Sequence, residues 1–157
     1  MAPVRPLPLV LLSLLCTVSC AFRPDWREET VDNASFDEGW EAMQQSLAAA
    51  RYLPDLAATD RGERKMWSKW KTGSDFFHGG QRARLRADVI TEKEPGKLTV
   101  RVCVERQKTN KPGDLYERKE EDWSADGQDH TGEDFFLRHF KVRMSQWQEA
   151  KAAATKS

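Results

Sequence analysis

Four arginines in the middle of the chain are the strongest candidates for binding an anionic partner. Arg82, Arg84 and Arg86 alternate with apolar residues, and Arg101 takes a polar position in the next apolar–polar alternation. Residues two apart on a strand point to one face of a sheet, so these guanidinium groups share one side. That side can bind lipid phosphate, peptidoglycan carboxylates or an acidic protein surface. The alternative is a solvated sheet face. Its charges are then balanced by three carboxylates: Asp88, Glu92 and Glu105.

Trp67 is the candidate aromatic contact beside these arginines. In a strand over residues 63–71, Trp67 points away from Trp70, so only one of the two indoles can enter the core. An exposed Trp67 flanked by lysines can pack on a partner, on lipid headgroups or on a sugar ring. The alternative is that the segment 108–130 covers Trp67, through Trp123.

The remaining reactive residue types do not predict catalysis. Cys103 has no histidine near it in sequence, which is typical of an inert thiol. His130 with two neighbouring aspartates can at most hold a metal ion weakly, because the ligand spacings of known metal motifs are absent from the sequence. Neither a P-loop, a dinucleotide fingerprint nor a nucleophile motif is present. We therefore predict a protein that is not an enzyme, with no cofactor and no metal site.

The first residues predict an export signal. The apolar run from Leu7 to Leu15 follows Arg5 and is too short to cross a bilayer, which takes about 20 residues. A short apolar region followed by small residues is typical of a cleaved signal peptide. We therefore predict that residues 1–19 are a signal peptide and that the mature chain is exported.

Val18, Ser19 and Cys20 resemble the lipobox of bacterial lipoproteins, in which a small residue precedes the cysteine at the cleavage site. This resemblance implies acyl chains on Cys20, which anchor the protein to a membrane. In that family a residue other than Asp after the cysteine, here Ala21, implies sorting to the outer membrane. Two alternatives remain: ordinary cleavage after Ala21, or no cleavage and a loosely anchored amino terminus.

Composition limits the other classes of partner. The 157 residues carry no net charge, and removal of residues 1–19 takes away Arg5 and leaves a net charge of −1. A chain without excess positive charge is not expected to bind nucleic acid. Of the three cysteines, Cys103 is then the single free thiol, so no intramolecular disulfide is expected.

Two helices follow from hydrophobic periodicity. Residues 20–34 show no period and predict a lipidated tether to the membrane. Ser35 and Glu38 have capping-box spacing, and the apolar stripe that follows predicts a helix to about Ala50. Thr131 predicts the cap of a second helix, which ends near Ala152. We expect one domain over residues 35–153 and a disordered tail over residues 154–157.

Three strands are predicted between the helices. They cover residues 63–71, 82–89 and 98–105, and the last two form a hairpin around a turn at residues 94–96. Residues 108–130 are polar and predict a long loop held by its few apolar side chains, Leu115, Tyr116 and Trp123. The fold class is α+β: two layers, order α-β-β-β-α, with an antiparallel sheet covered on one face by two helices.

This order resembles the helix-grip modules of BamC-like lipoproteins, accessory parts of the outer-membrane β-barrel assembly machinery. The resemblance covers residues 35–150, with Phe36 and Trp40 on the first helix and Trp67 and Trp70 on the first strand. It implies a non-catalytic role in envelope assembly and transfers no site residue apart from Cys20.

The sequence therefore predicts a membrane-anchored periplasmic lipoprotein that serves as an interaction or structural module of the cell envelope. Its partners are then the membrane, through the anchor, and an envelope protein or the cell wall. The alternative is a carrier for a small amphiphile, held in a pocket between helices and sheet. That pocket would be lined by four aromatic residues: Trp40, Trp70, Phe136 and Phe140. A continuous apolar hollow favours the carrier, and a filled interior favours the interaction module.

Overall fold

The computed structural model describes residues 23–75, 79–90, 96–111 and 113–155. These residues form six strands, two long helices and one short 3-10 helix. In chain order the elements are β1 Arg27–Asp32, α1 Phe36–Ala49, β2 Lys65–Trp67, β3 Lys71–Asp75, β4 Gly79–Ile90, β5 Lys97–Thr109, the 3-10 helix Glu120–Asp122, β6 Ser124–Gln128 and α2 His130–Ala154. The predicted signal peptide and Cys20 lie outside the described residues.

The six strands form one antiparallel sheet with β4 and β5 at its centre. These two long strands pair along most of their length, with Leu85 opposite Val104 and Val89 opposite Val100. β1 and β6 both pair with the other side of β5, and β2 and β3 both pair with the other side of β4. Each edge of the sheet is thus made by two short strands in succession.

Helix α1 begins at the predicted capping box. The hydroxyl of Ser35 accepts a hydrogen bond from the Glu38 backbone, and the Glu38 carboxylate accepts one from the Ser35 backbone at 2.9 Å. One stripe of the helix, including Trp40, Met43 and Leu47, is buried. The sequence pattern and the local structure therefore agree for this helix.

Helix α2 begins at a different cap from the predicted one. Asp129, not Thr131, accepts a hydrogen bond from the Gly132 backbone at 3.0 Å. Asp and Thr are both common helix-capping residues, but it is the side chain of Asp129 that reaches the first free N–H groups of the helix. The helix runs to Ala154, two residues beyond the predicted end, and residues 156–157 lie outside the described part of the chain.

The core lies between the two helices and one face of the sheet, here called the inner face. Alternate residues of β4 and β5, such as Leu85, Val102 and Val104, are buried there. They pack against Phe136 and Phe140 of α2 and the stripe of α1. The predicted α+β class, with two helices on one face of an antiparallel sheet, is confirmed.

The strand count is where the prediction is wrong, with six strands rather than three. β1 occupies residues 27–32, inside the predicted tether, and β6 occupies residues 124–128, inside the predicted loop. Both are short edge strands that carry mostly polar side chains, so apolar alternation does not mark them in the sequence. The segment predicted as one strand over residues 63–71 is two strands, β2 and β3.

None of the helices found in the described ranges is long and apolar enough to cross a bilayer.

Candidate functional site

A β-bulge between β2 and β3 decides where the tryptophans of this region point. Trp67 pairs with Arg86, and Lys71 pairs with Ala83, so the β2–β3 side has one residue more than β4 between these pairs. An extra residue reverses the alternation of side chains along a strand. Trp67 and Trp70 therefore lie on the same face of the sheet, and the prediction that they point to opposite faces is wrong.

Ser68 stabilises this bulge from a fully buried position. Its backbone N–H donates to the carbonyl of Leu85 at 2.9 Å, and its hydroxyl accepts the N–H of Leu85 at 2.9 Å. The hydroxyl thus replaces the backbone carbonyl that a regular strand would present to Leu85. A buried donor without an acceptor is costly, so this side chain is well suited to the position.

On the outer face of the sheet, opposite the helices, arginine and tryptophan side chains alternate in a continuous row. We call this surface the Arg/Trp face. It consists of Trp123, Arg82, Trp70, Arg84, Trp67, Arg86, Trp26 and Arg101, in spatial order. The row joins residues from before β1, from the β2–β3 bulge, from β4, from β5 and from the segment before β6.

Each neighbouring pair in this row is in cation–π range. Arg84 lies 4.5 Å from the ring centres of both Trp67 and Trp70. Arg82 lies 4.1 Å from Trp70, and the longest distance in the row, from Arg86 to Trp67, is 5.1 Å. A contact of this kind contributes about 0.5–1 kcal/mol when exposed and about 2 kcal/mol when desolvated. The face is therefore held together by several weak contacts that act in series.

The guanidinium groups are also paired with acceptors. Asp88, which is 4% exposed, accepts from Arg86 at 3.0 Å and from Arg101 at 2.9 Å. Arg84 forms an ion pair with Glu105 at 3.4 Å. Two of the three carboxylates that the sequence suggests as balancing charges therefore do pair with the arginines. The third, Glu92, lies outside the described residues.

Arg82 is the most buried member, with 7% of its surface exposed. Its Nε and Nη2 donate to the side-chain oxygen of Gln107 at 2.8 and 2.6 Å, and Nη1 donates to Glu120 at 3.0 Å. The hydrogen bond from Arg82 lowers the pKa of the Glu120 carboxyl from its ordinary value of 4.5. Glu120 belongs to the 3-10 helix, which was not predicted from the sequence.

The structure thus brings together all five predicted face residues, but not as free cations. An anionic partner has to compete with the carboxylates already in place, and paired charges produce little long-range attraction. The surface offers aromatic rings and the planes of guanidinium groups, with only a small net positive charge, because three carboxylates pair with the four arginines. Its use in binding stays a prediction.

Sequence reasoning missed two members of this face, Trp26 and Trp70. It gave Trp123 only as the alternative cover for Trp67, whereas the structure places Trp123 against Arg82 at 4.6 Å. Trp26 was part of the expected tether, and Trp70 was expected in the core. Their positions could have been suspected from the sequence, because a bulky indole in an otherwise polar segment needs another part of the chain to cover it. Tyr116, which was expected to help dock the loop 108–130, is instead 83% exposed.

The chain before β1 lies across the same face. Trp26 stacks beside Arg86 and Arg101 at 4.7 and 4.3 Å. The backbone of Asp25 exchanges two hydrogen bonds with the side chain of Gln128, at 2.7 and 2.9 Å. Pro24 then lines a cavity of about 210 Å³ together with outer-face residues that include Trp67, Arg84 and Arg86.

Cys103 lines this cavity as well, and it is 3% exposed. Burial raises the pKa of its thiol to about 12, with a further contribution from the charges of Glu133 and Glu105. Because the thiolate is the reactive form, Cys103 is a poor nucleophile at neutral pH. The geometry assigns it a packing role.

His130 and the carboxylate of Glu133 form a structural cluster near the start of α2. Glu133 is fully buried and accepts from the Val104 backbone at 2.8 Å and from Gln128 at 2.9 Å, and it contacts His130 at 2.7 Å. It thereby connects α2 to β5 and β6. No group of three or more potential metal ligands occurs among the residues that the structure describes, and His78 lies outside them.

The pocket expected for an amphiphile carrier does not have its predicted lining. Trp40, Phe136 and Phe140 are packed in the core, whereas Trp70 is on the opposite face of the sheet. A surface cavity of about 410 Å³ near Tyr52 has charged side chains in its lining, among them Lys71 and Arg106. It is not the continuous apolar hollow that a carrier requires.

Comparison with protein-family models and with curated proteins gives no match for this chain.

Proposed function

We propose that this protein is a lipid-anchored envelope protein that acts as a non-catalytic interaction or structural module. The observation that carries the proposal is the Arg/Trp face: a surface of stacked indole and guanidinium planes, whose arginines pair with carboxylates. Such a surface is suited to contact with a partner, because indole rings offer a large apolar area for packing and a polar N–H for hydrogen bonding.

The lipid anchor is part of the proposal and rests on the lipobox-like residues that end at Cys20. Acyl chains contribute about 0.8 kcal/mol per buried methylene, so several chains hold a small domain at a membrane. An anchored module meets its partners at a high effective concentration, which allows weak contacts to be sufficient. The resemblance to BamC-like modules and the outer-membrane location belong to the same proposal.

The filled interior supports this function over a carrier. Met43, Phe136 and Phe140 are fully buried between helices and sheet. A ligand of useful size would have to displace such side chains, which costs several kcal/mol of packing. The exposed surfaces, rather than the interior, are therefore the places at which this domain can bind.

Mass spectrometry of the protein purified from the membrane fraction tests the proposal. We expect a chain that starts at an acylated Cys20, and we expect Cys20→Ala to move the folded domain to the soluble fraction. Cys16→Ala is the matched control, because it changes another cysteine of the same region and leaves Cys20 in place. Crosslinking in the same cells then identifies the proteins that lie next to this domain. An unmodified Cys20, or a Cys20→Ala variant that stays on the membrane, contradicts the anchor.

A further inference from the structure

The described chain begins on the Arg/Trp face, and this restricts how an anchored domain can be oriented. Pro24 lies in the outer-face cavity, and Asp25 is fixed to Gln128 of β6 by two hydrogen bonds. The path of the backbone at this point is therefore set by the folded domain. It leads to Arg23, the first residue that the structure describes, from the outer side of the sheet.

Cys20 is three residues before Arg23. A fully extended chain advances at most about 3.6 Å per residue, so Cys20 lies within about 11 Å of Arg23. An acylated cysteine sits at the membrane surface. The helices pack on the opposite face of the sheet, about 10 Å farther away. Because the connection to Cys20 is short, the outer face is favoured as the one nearer to the membrane.

We propose that the Arg/Trp face lies on the phospholipid headgroup layer, with the helices directed away from the membrane. This inference rests on the lipid anchor of the proposed function, and it identifies the phospholipid surface as the partner that the Arg/Trp face contacts. Lipid phosphate and glycerol groups are the chemistry that the face contacts.

The composition of the face fits this environment. Tryptophan is enriched at membrane interfaces because its ring is apolar and its N–H is polar, and arginine places a long stem against apolar groups while its head contacts phosphate. Arg84, Arg86 and Arg101 keep 29%, 28% and 33% of their side chains exposed, so their guanidinium groups are within reach of a phosphate oxygen.

The ion pairs of the face determine which lipids are required. Asp88 and Glu105 offset two of the three charges on Arg84, Arg86 and Arg101, so the face has only a small net charge with which to attract anionic lipid. The acyl anchor and the tryptophans supply the binding, so the orientation is expected on vesicles of zwitterionic phosphatidylcholine as well as on vesicles that contain phosphatidylglycerol.

Spin labels on the intact acylated protein test the orientation. Thr30 lies on β1 and Lys65 on β2, at opposite edges of the sheet, and register places both on the outer face. Val142 of α2 is 49% exposed and is the matched control on the helix side. Each is replaced by Cys in turn. The labelling is done at neutral pH, where burial and the raised pKa protect Cys103.

The measurement is the accessibility of each nitroxide to a water-soluble nickel chelate, on phosphatidylcholine vesicles and in detergent. We expect a several-fold loss of accessibility on vesicles for the labels at residues 30 and 65, and no change for the label at residue 142. Equal accessibility at all three positions, or loss at one edge of the sheet alone, overturns the face-on orientation.

Mass spectrometry of the same samples separates this inference from the proposed function. An acylated Cys20 with a fully accessible outer face overturns the orientation and leaves the anchor intact. An unmodified Cys20 overturns the anchor and, with it, the orientation. Circular dichroism of each labelled variant identifies any variant that does not fold. For such a position another outer-face residue of the same sheet edge is used instead, Glu28 of β1 for Thr30 or Thr72 of β3 for Lys65.

Discussion

Ser68 and Leu85 are joined by two hydrogen bonds of 2.9 Å, one from the Ser68 backbone to the Leu85 carbonyl and one from the Leu85 backbone to the Ser68 hydroxyl. This pair sits at the bulge that places Trp67 and Trp70 on one face. The alternation of indole and guanidinium groups beside it depends on that register.

Replacement of Ser68 by Ala therefore tests the bulge. The change leaves the buried N–H of Leu85 without an acceptor, and we expect a loss of about 1–3 kcal/mol in the free energy of unfolding. Ser124→Ala is the control, because that hydroxyl makes an exposed hydrogen bond of 3.2 Å to Lys108, and its effect should stay below about 0.5 kcal/mol. Urea unfolding followed by tryptophan fluorescence measures both, and equal unfolding midpoints would contradict the role of Ser68.

Asp88 is the carboxylate shared by Arg86 and Arg101, and its removal tests whether the ion pairs hold the face together. Asp88→Asn keeps the shape but leaves two partly buried guanidinium groups without their counter-ion. We expect a loss of about 1–3 kcal/mol, because hydrogen bonds to charged groups are the stronger ones. Asp37→Asn removes a highly exposed ion pair with Arg61 and should have almost no effect. If the two variants unfold alike, the ion pairs of Asp88 contribute nothing to stability.

The contact between Arg82 and Glu120 predicts a pH dependence. The pKa of Glu120 is lower in the folded protein than its ordinary value of 4.5, so this carboxylate stabilises the fold at higher pH. Its contribution is lost as the pH falls through the folded pKa. The parent protein should therefore lose more stability between about pH 6 and about pH 3 than Glu120→Gln, which cannot titrate at this position. The difference in stability between the parent and Glu120→Gln is small, because the Glu120 carboxylate is mostly exposed. Coinciding pH profiles of the two proteins would refute a stabilising role of this carboxylate.

Gly39 tests the contact between α1 and the inner face of the sheet. A Cβ at this position would lie 2.0 Å from Cδ2 of Leu98. Alanine favours a helix over glycine by about 1 kcal/mol, but we expect overpacking to reverse the sign and to cost about 1–3 kcal/mol. A Cβ added at Gly73 has no atom within 4 Å, so Gly73→Ala serves as the control. In a Leu98→Ala background the cost of Gly39→Ala should largely disappear, and a strictly additive double-mutant cycle would argue against the clash.

Sequence periodicity was sufficient for the elements that have one apolar face. The stripe through Trp40, Met43 and Leu47 and the alternation of β4 and β5 predicted these elements and the two-layer class, because burial on one side leaves a period in the sequence. The polar edge strands β1 and β6 have no such period. Their stability comes from pairing with β5, a partner far away in the chain.

By itself the sequence determined the alternation that places Arg82, Arg84 and Arg86 on one side of a strand, since side chains of a regular strand alternate. Only the tertiary structure decided what those arginines contact. A one-residue bulge turned Trp70 outward, and long-range pairing brought Trp123 to one end of the row and Trp26 between Arg86 and Arg101. A bulge is a local change of register without a marked sequence signal, and contacts between distant segments depend on the complete sheet.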